Sequence, residues 1–332
     1  MRAPVGAINI ANQKVGIGRG LCAIRGIISN SKFLFHYIGF IKEELDSLST
    51  GSTFKAINLD DVKNIFIPKI DINEQTQIAN YLDHKTAQID NLIAKKEKLI
   101  ELLKEERTAT INQAVTKGLD PTVPMKDSGI EWLGEIPESW EVKKLKYVCQ
   151  LINEKTSNKP NYVIALENIQ SWSGNIIGDP LSNEMQGDTV LFQKDDILFN
   201  KLRPYLAKVT KASQDGGCMG ELLVLRCMTN ISPNFLFYRL ISEMVITIVD
   251  GSTYGTKMPR ASWEKFISQL EICVPSIIEQ EEIATHLDHQ KIRSEKETQK
   301  INSQIELLKE YKTALISEVV TGKIDVRDEK IN

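Results

Sequence analysis

One segment of the chain occurs twice, and that repetition constrains the fold more than any other feature. Glu74–His84 returns as Glu279–His289. Without gaps the register continues through Ile100–Glu105 against Ile305–Glu310 and ends at Asp120 against Asp325, with 20 of 47 positions identical. Self-similarity on this scale marks a duplicated structural unit. Residues 74 to 117 contain no Pro or Gly and are dominated by Glu, Lys, Leu, Gln and Ala, the composition of a helix. Apolar residues recur at helical spacing at Ile78, Leu82, Ile89, Ile93, Ile100, Leu103, Ile111 and Val115. The second copy has Ile283, Leu287, Ile301, Ile305, Leu308, Leu315 and Val319, with a polar stretch at Ser294–Gln299 that weakens its middle. Such a stripe needs a partner helix. Two alike in one chain make mutual antiparallel pairing the economical solution. At 1.5 Å per residue, about 45 residues span roughly 68 Å, so the pair predicts a rod rather than the core of one compact domain.

The residues before each helix correspond more loosely. Gly51–Phe54 matches Gly251–Tyr254, and the strand-like Ile65–Pro68 matches Leu270–Pro275. Further upstream, Met1–Pro4 aligns with Lys201–Pro204, and Leu21–Arg25 with Leu222–Arg226. The repeat unit is therefore a mixed globular domain followed by a long helix. Residues 128 to 200, 73 in all, have no counterpart before Met1, so the first unit is expected to be truncated. Between Ser128 and Ile277, short apolar runs at Tyr162–Leu166, Thr189–Phe192, Asp196–Phe199 and Leu222–Leu225 predict strands. Phe235–Val249 predicts one helix, opened by Pro233-Asn234 and closed near Asp250-Gly251. The two prolines of Asp120–Pro124 make that segment a linker. The expected fold class is α+β, with mixed α/β domains separated by two long helices that form an antiparallel coiled-coil spacer. Its parts are a truncated first globular domain (1–73), a first helix and linker (74–127), a second globular domain (128–277) and a second helix (278–332).

Composition narrows the function by exclusion. Lys+Arg 41 against Asp+Glu 44 leaves a formal charge of -3, which is not the balance of a bulk polyanion coat. No window approaches the roughly 18 apolar residues of a membrane span. The five cysteines are an odd number with no C-x-x-C pair, and the N-terminus lacks a signal-peptide run, so reduced thiols and a cytoplasmic location are expected. Catalytic signatures are missing as well. No Pro-Pro dipeptide occurs, so the Asn/Asp-Pro-Pro-aromatic loop of an amino-methyltransferase is absent, and Asn158–Tyr162 reads as a plain turn. Gly16–Gly20 lacks the third glycine of a dinucleotide loop, and there is no G-x-x-x-x-G-K-[ST]. His286 and His289 lie one turn apart beside Asp288, but solvated helix positions are a simpler reading than a metal site.

The linker Lys126–Trp140, the Pro68 and Pro275 segments running into Glu74-Gln75 and Glu279-Gln280, and the two long helices together resemble one family. It is the specificity (S) subunit of type I restriction-modification systems. The resemblance covers essentially the whole chain. It implies two target-recognition domains, each reading half of a split double-stranded DNA site and held apart by the helical spacer. It also implies docking of methyltransferase (M) subunits, which bind S-adenosylmethionine, and of a restriction (R) subunit working with ATP and Mg. The chain itself would be a non-catalytic subunit with no cofactor or metal of its own. The sequence departs from the family where its first domain lacks the Ser128-like opening. This adds a second copy or a complementary half-subunit to the partners, and leaves an inactive fragment of a rearranged specificity gene or a mis-assigned start as readings of the truncation. Outside the family, the alternatives are a coiled-coil scaffold without DNA affinity and an enzyme in its own right.

Residues 129–277 contain 15 Lys+Arg and 17 Asp+Glu, so any DNA-binding face must come from local asymmetry. One candidate cluster is Lys201, Arg203, Tyr205, Lys208 and Lys211, placed after a strand. Another is Thr253, Tyr254, Lys257 and Arg260, in a glycine-flanked loop without apolar periodicity. Arg can fork onto guanine and Tyr can pack on sugar or base. The first unit repeats parts of this set as Arg2 and as Thr53, Phe54 and Lys55. For each of these residues a solvated basic face is the competing reading. Trp132, Leu133, Ile136 and Trp140 are read as packing that seats the second domain on its helix. The flank carrying Lys95, Lys96, Lys98, Glu101, Lys104 and Glu105 is solvent-facing and is the natural docking surface for an M subunit.

Overall fold

A computed structural model describes residues 5–49, 56–156, 160–180 and 189–329. Helices α1 (Ser31–Phe40), α2 (Lys42–Ser47), α3 (Leu59–Lys63) and α4 (Ile72–Lys117) come first. Strands β1 (Met125–Asp127), β2 (Glu135–Pro137), β3 (Glu141–Lys144), β4 (Cys149–Ile152), β5 (Lys155–Thr156) and β6 (Val163–Ile164) follow. Next are β7 (Thr189–Phe192), β8 (Ile197–Asn200), β9 (Val209–Lys211), β10 (Gly216–Cys218) and β11 (Leu222–Cys227). The chain continues with α5 (Pro233–Ile241), α6 (Glu243–Gly251), β12 (Glu271–Val274) and α7 (Ile277–Val320). The fold is α+β, as the alternation of patterns predicts.

The two repeated segments are the long helices, of 46 residues in α4 and 44 in α7. Their ends follow local chemistry. Asp71 accepts from the Asn73 amide at 2.8 Å and Ser276 from the Glu279 amide at 3.3 Å, each capping a first turn. Gly118 closes α4 in the left-handed conformation (φ 77°), which a side chain would strain.

The chain divides into two compact units whose boundaries fall inside both long helices. The first takes residues up to Glu101 and from Glu297 on; the second takes Leu102–Lys296. In the first, Ile78, Leu82 and Ile89 of α4 pack with Leu315, Val319 and Val320 of α7, with Phe33 of α1 and with Val326. Lys312 Nζ donates to both oxygens of Asp90 at 2.7 Å, and Lys96 Nζ donates to Gln304 Oε1 at 2.7 Å. As numbers rise along α4 they fall along α7, so the helices run antiparallel here. In the second unit, Ile111, Ala114 and Val115 share a core with Ile283 and Leu287, and Arg107 lies 3.8 Å from Glu295. In the repeat, Asp90 corresponds to Glu295 and Arg107 to Lys312. The same acid–base pair thus occurs once in each unit, with the helices exchanging roles.

The second unit carries the sheets. One has the antiparallel order β4-β11-β8-β9; another has the order β5-β7-β10-β6, with β10 and β6 parallel. The pairs β1-β2 and β12-β3 complete the set. Leu225 sits opposite both Leu151 and Ile197, and Phe235, Leu236 and Leu240 of α5 close the core over this sheet. Leu133, Ile136 and Trp140 are buried in the same core as Val115 and Ile283. The Trp140 indole also donates to Glu279 Oε1 at 2.9 Å, fastening the opening of the domain to the first turn of α7.

Three local expectations change. Phe235–Val249 is two helices, because Ser242 is extended (φ -60°, ψ 143°) between α5 and α6. The break is held from outside, with Asn112 Oδ1 of α4 accepting the Glu243 amide at 3.0 Å. Tyr162–Leu166 is a strand only at Val163–Ile164 and then a 3-10 turn at Leu166–Asn168. Ile65–Pro68 is not a strand, although its counterpart forms β12. β12 exists by pairing with β3, whereas no strand among the described residues pairs with 65–68.

Candidate nucleic-acid interface

The two loops singled out by sequence are one structure. After β8, the side chain of Asn200 accepts the Leu202 amide at 2.9 Å and turns the chain. Arg203 (φ 51°) and Ala207 (φ 45°) are both left-handed and bracket a 3-10 turn at Pro204–Leu206. Side-chain-bearing residues in this region are strained, and surrounding contacts must hold them there. Those contacts come from the segment after α6. The Arg203 amide donates to Pro259 O at 2.8 Å, the Ala261 amide to Lys201 O at 2.9 Å, and Tyr254 and Arg260 exchange backbone bonds at 3.0 Å. The Tyr205 amide donates to Asp250 Oδ1 at 3.3 Å.

Side-chain partners then sort the candidates. Arg260 forks onto Glu221, with Nη2 at 2.6 Å and Nε at 3.0 Å from Oε1, and this hydrogen bonding raises the pKa of its guanidinium. Lys201 Nζ lies 4.0 Å from the same carboxylate. Lys208 Nζ donates to Leu166 O at 2.8 Å, Lys211 Nζ to Asp195 at 3.1 Å, and Thr253 Oγ1 to Asp250 O at 2.8 Å. These groups brace the loops. Arg203, Tyr205, Tyr254 and Lys257 are exposed, which puts two cations and two phenols on adjoining loops. Arg2, Thr53 and Lys55, with Phe54, lie outside the described residues. His286 is half-buried and His289 exposed. Among the described residues no group of three or more His, Cys, Asp or Glu side chains could hold a metal, and no helix is long and apolar enough to cross a membrane.

Sequence reasoning missed two supports of this site. Trp172 is left-handed (φ 62°), and its amide donates to Ala207 O at 3.1 Å, behind the 203–207 turn. The adjoining residues bind α7, through Lys291 Nζ to Ser173 O and Asn175 Nδ2 to Glu295 Oε1, both at 2.9 Å. Burial lowers the pKa of Lys291. The second support is a further stretch of the repeat, Phe33-Leu34-Phe35 against Phe235-Leu236-Phe237. It places α1 and α5 in the same role. Gln75 Oε1 accepts the amide of Asn30, the N-cap of α1, and Gln280 Oε1 that of Ser232, the N-cap of α5, each at 2.8 Å. His36 then meets Asp83 at 2.8 Å where Tyr238 meets Asp288 at 2.6 Å. The signal was present, but its offset of 202 differs from the 205 that aligns the long helices.

Comparison with known proteins agrees with this architecture. The type I restriction modification DNA specificity domain family matches residues 1–102 and 137–307. The EcoDI type I restriction enzyme specificity subunit of Escherichia coli is 23% identical over 321 residues, covering 91% of this chain and 72% of its own. A putative MjaX specificity subunit from Methanocaldococcus jannaschii is 39% identical over 121 residues, 35% of this chain and 27% of its own. The solved HsdS subunit from Thermoanaerobacter tengcongensis has a TM-score of 0.52 at 16% identity, covering 90% of this chain and 71% of that one. A chain from a study of complex assembly and conformational transition in the type I R-M system reaches 0.62 at 16% identity, covering 90% and 72%. With matches across most of its length and the repeated domain-plus-helix plan on both sides of them, the chain belongs to the family of type I restriction-modification DNA specificity subunits.

Proposed function

We propose that residues 203–205 and 254–257 of this chain read one half of a bipartite double-stranded DNA site. The observation that carries this reading is the sorting of charges. Glu221 and the backbone engage Lys201, Lys208 and Arg260, so that Arg203, Tyr205, Tyr254 and Lys257 are presented outward on a braced loop pair. A guanidinium fits the O6/N7 edge of guanine or a phosphate, and a phenol packs on sugar or base. The first domain would read the other half-site, and α4 and α7 would set the gap between them and dock the M subunits. The chain would supply no chemistry of its own. Methyl transfer would use S-adenosylmethionine on the M subunit, and cleavage would use ATP and Mg on the R subunit. A second copy or a complementary half-subunit is a further proposed partner.

The test uses the chain assembled with its M subunit and duplexes carrying the methylated site. Arg203→Ala and Tyr254→Ala are each expected to weaken specific binding by about tenfold or more, matching roughly 1–3 kcal/mol per base contact. Lys265→Ala, on the exposed surface beyond the loop, is expected to leave it unchanged. Equal affinity for all three variants would refute this placement of the reading face.

A further inference from the structure

Residues 172–175 are bonded to more of the second unit than their length suggests. They meet the turn at 203–207 through the Trp172 amide, which donates to Ala207 O at 3.1 Å. Just beyond that turn, Thr210 Oγ1 donates to Gly174 O at 2.7 Å. Two bonds join the segment to α7, from Lys291 Nζ to Ser173 O and from Asn175 Nδ2 to Glu295 Oε1. Toward α4, Trp172 lines a small cleft with Arg107, Thr108 and Ile111, and with Ser242 at the α5–α6 break. Arg107 lies 3.8 Å from Glu295, which closes a circuit through both long helices. Against β9 and α5, a Cβ on Gly174 would collide with Val209 O and the Phe237 ring, so only glycine allows this approach. Lys291 Nζ lies 5.8 Å from the centroid of the same ring. Among the described residues, four positions other than glycine have left-handed backbone, and Trp172, Arg203 and Ala207 are three of them. Such strain persists only where the surroundings over-determine it. The 254–260 segment holds Arg203, but Ala207 is held through Trp172, and residues 172–175 are held by the helices.

We infer that residues 172–175 are a bracket that aims the reading turn from α4 and α7, and that Lys291 is a positioning residue for base recognition. The inference rests on the reading face proposed above and adds what fixes its placement. A hydrogen bond to a base edge needs its donor held in place, whereas phosphate attraction is long-range and carries no sequence information. A recognition constellation must be held to within about 0.5 Å by neighbours that are themselves locked. Lys291 is half-buried and its ammonium is engaged by Ser173 O, so it acts through the bracket rather than by meeting DNA. Loosening the bracket therefore costs discrimination between sequences and spares binding to any duplex.

The experiment uses the full chain assembled with its M subunit. Lys291→Met keeps the length of the side chain and removes the donor to Ser173, whereas Lys291→Arg keeps a donor. In Lys291→Met, amide hydrogen exchange measured without DNA is expected to rise by about tenfold or more across 172–175 and 203–207. Exchange across 111–115 and 283–287 should be unchanged, and Lys291→Arg should behave as the wild type throughout. The ratio of affinities for the site the complex methylates and for a scrambled duplex should fall by about tenfold in Lys291→Met, through the specific complex alone. Adding Asn175→Ala should enlarge both effects. Unchanged exchange at 203–207 in the double variant would overturn the inference. So would faster exchange throughout the second unit, or an equal loss of affinity for both duplexes, since either marks Lys291 as merely structural. Because the exchange measurement needs no DNA, it still decides the bracket if Arg203→Ala and Tyr254→Ala show that the reading face lies elsewhere.

Discussion

Glu221 shows how a single side chain sorts residues that look alike in sequence. Lys201, Arg203 and Arg260 are chemically interchangeable candidates along the chain, and composition has no means of telling which meets an internal carboxylate. The residue types of the site were legible; the partners were not, because each partner sits across a fold contact (Arg260 on Glu221, Lys208 on Leu166). Arg239 is a sharper case. It lies on the stripe of α5 that enters the core, is fully buried, and its three guanidinium nitrogens have no hydrogen-bond partner among the described residues. Burial lowers its pKa, and its guanidinium carbon lies over the Trp132 ring, 5.6 Å from the centroid. Replacing a buried, unpaired charge by an apolar side chain of similar length stabilises a fold. Arg239→Met is expected to raise the urea midpoint, by about 1–4 kcal/mol in unfolding free energy.

At the scale of elements, the long helices were legible, because a stripe of more than ten turns has no competing solution. The second, expected over 278–332, starts within a residue of that bound but ends at Val320. The α5–α6 break was not, because Asn112, which stabilises it, is contributed by α4. The strand expected at 65–68 failed for a related reason, since a strand is a relation between two segments and no described strand pairs with this one. The side chain that fastens each domain helix to its long helix is a glutamine. Gln280 is fully buried, accepts from Ser232 and donates to Pro275 O at 2.9 Å and Asn230 O at 3.2 Å. Gln280→Leu strands these backbone groups and is expected to cost about 2–4 kcal/mol in denaturant unfolding. The neighbouring contact differs between units and gives a pH signature. Burial raises the pKa of Asp83, but hydrogen bonds from Lys32 and His36 outweigh it and hold the carboxyl below its usual value. A depressed carboxylate contributes stability above its unfolded pKa and loses it as pH falls through the folded one. Asp83→Asn should therefore unfold at lower urea than the wild type near neutrality. The two midpoints should converge only as pH falls below the usual carboxylate range.

For the whole molecule, duplication was the legible fact, and division into units was not. Each compact unit takes part of both long helices, so the boundaries pass through segments that sequence reads as single uninterrupted elements. If the helices set the gap in the DNA site, four residues inserted into both add about 6 Å of helix. The unread gap should then grow by about one or two base pairs, as mapped by methylation of genomic DNA in the assembled complex. An unchanged gap would mean the helices only hold partners. The antiparallel pairing has a separate consequence, for synthesis. The bond between Lys312 and Asp90 joins residues 222 positions apart, and Leu315, Val319 and Val326 complete a core begun by Phe33 and Ile78. At about 5–20 residues per second, the apolar stripe of early α4 waits roughly ten to forty-five seconds for its cover. Residues 102–296 are contiguous and can fold in the interval. The unit started first on the ribosome is finished last, and only a chain translated through Val326 hides Ile78 and Leu82 from the proteases and chaperones that patrol nascent protein.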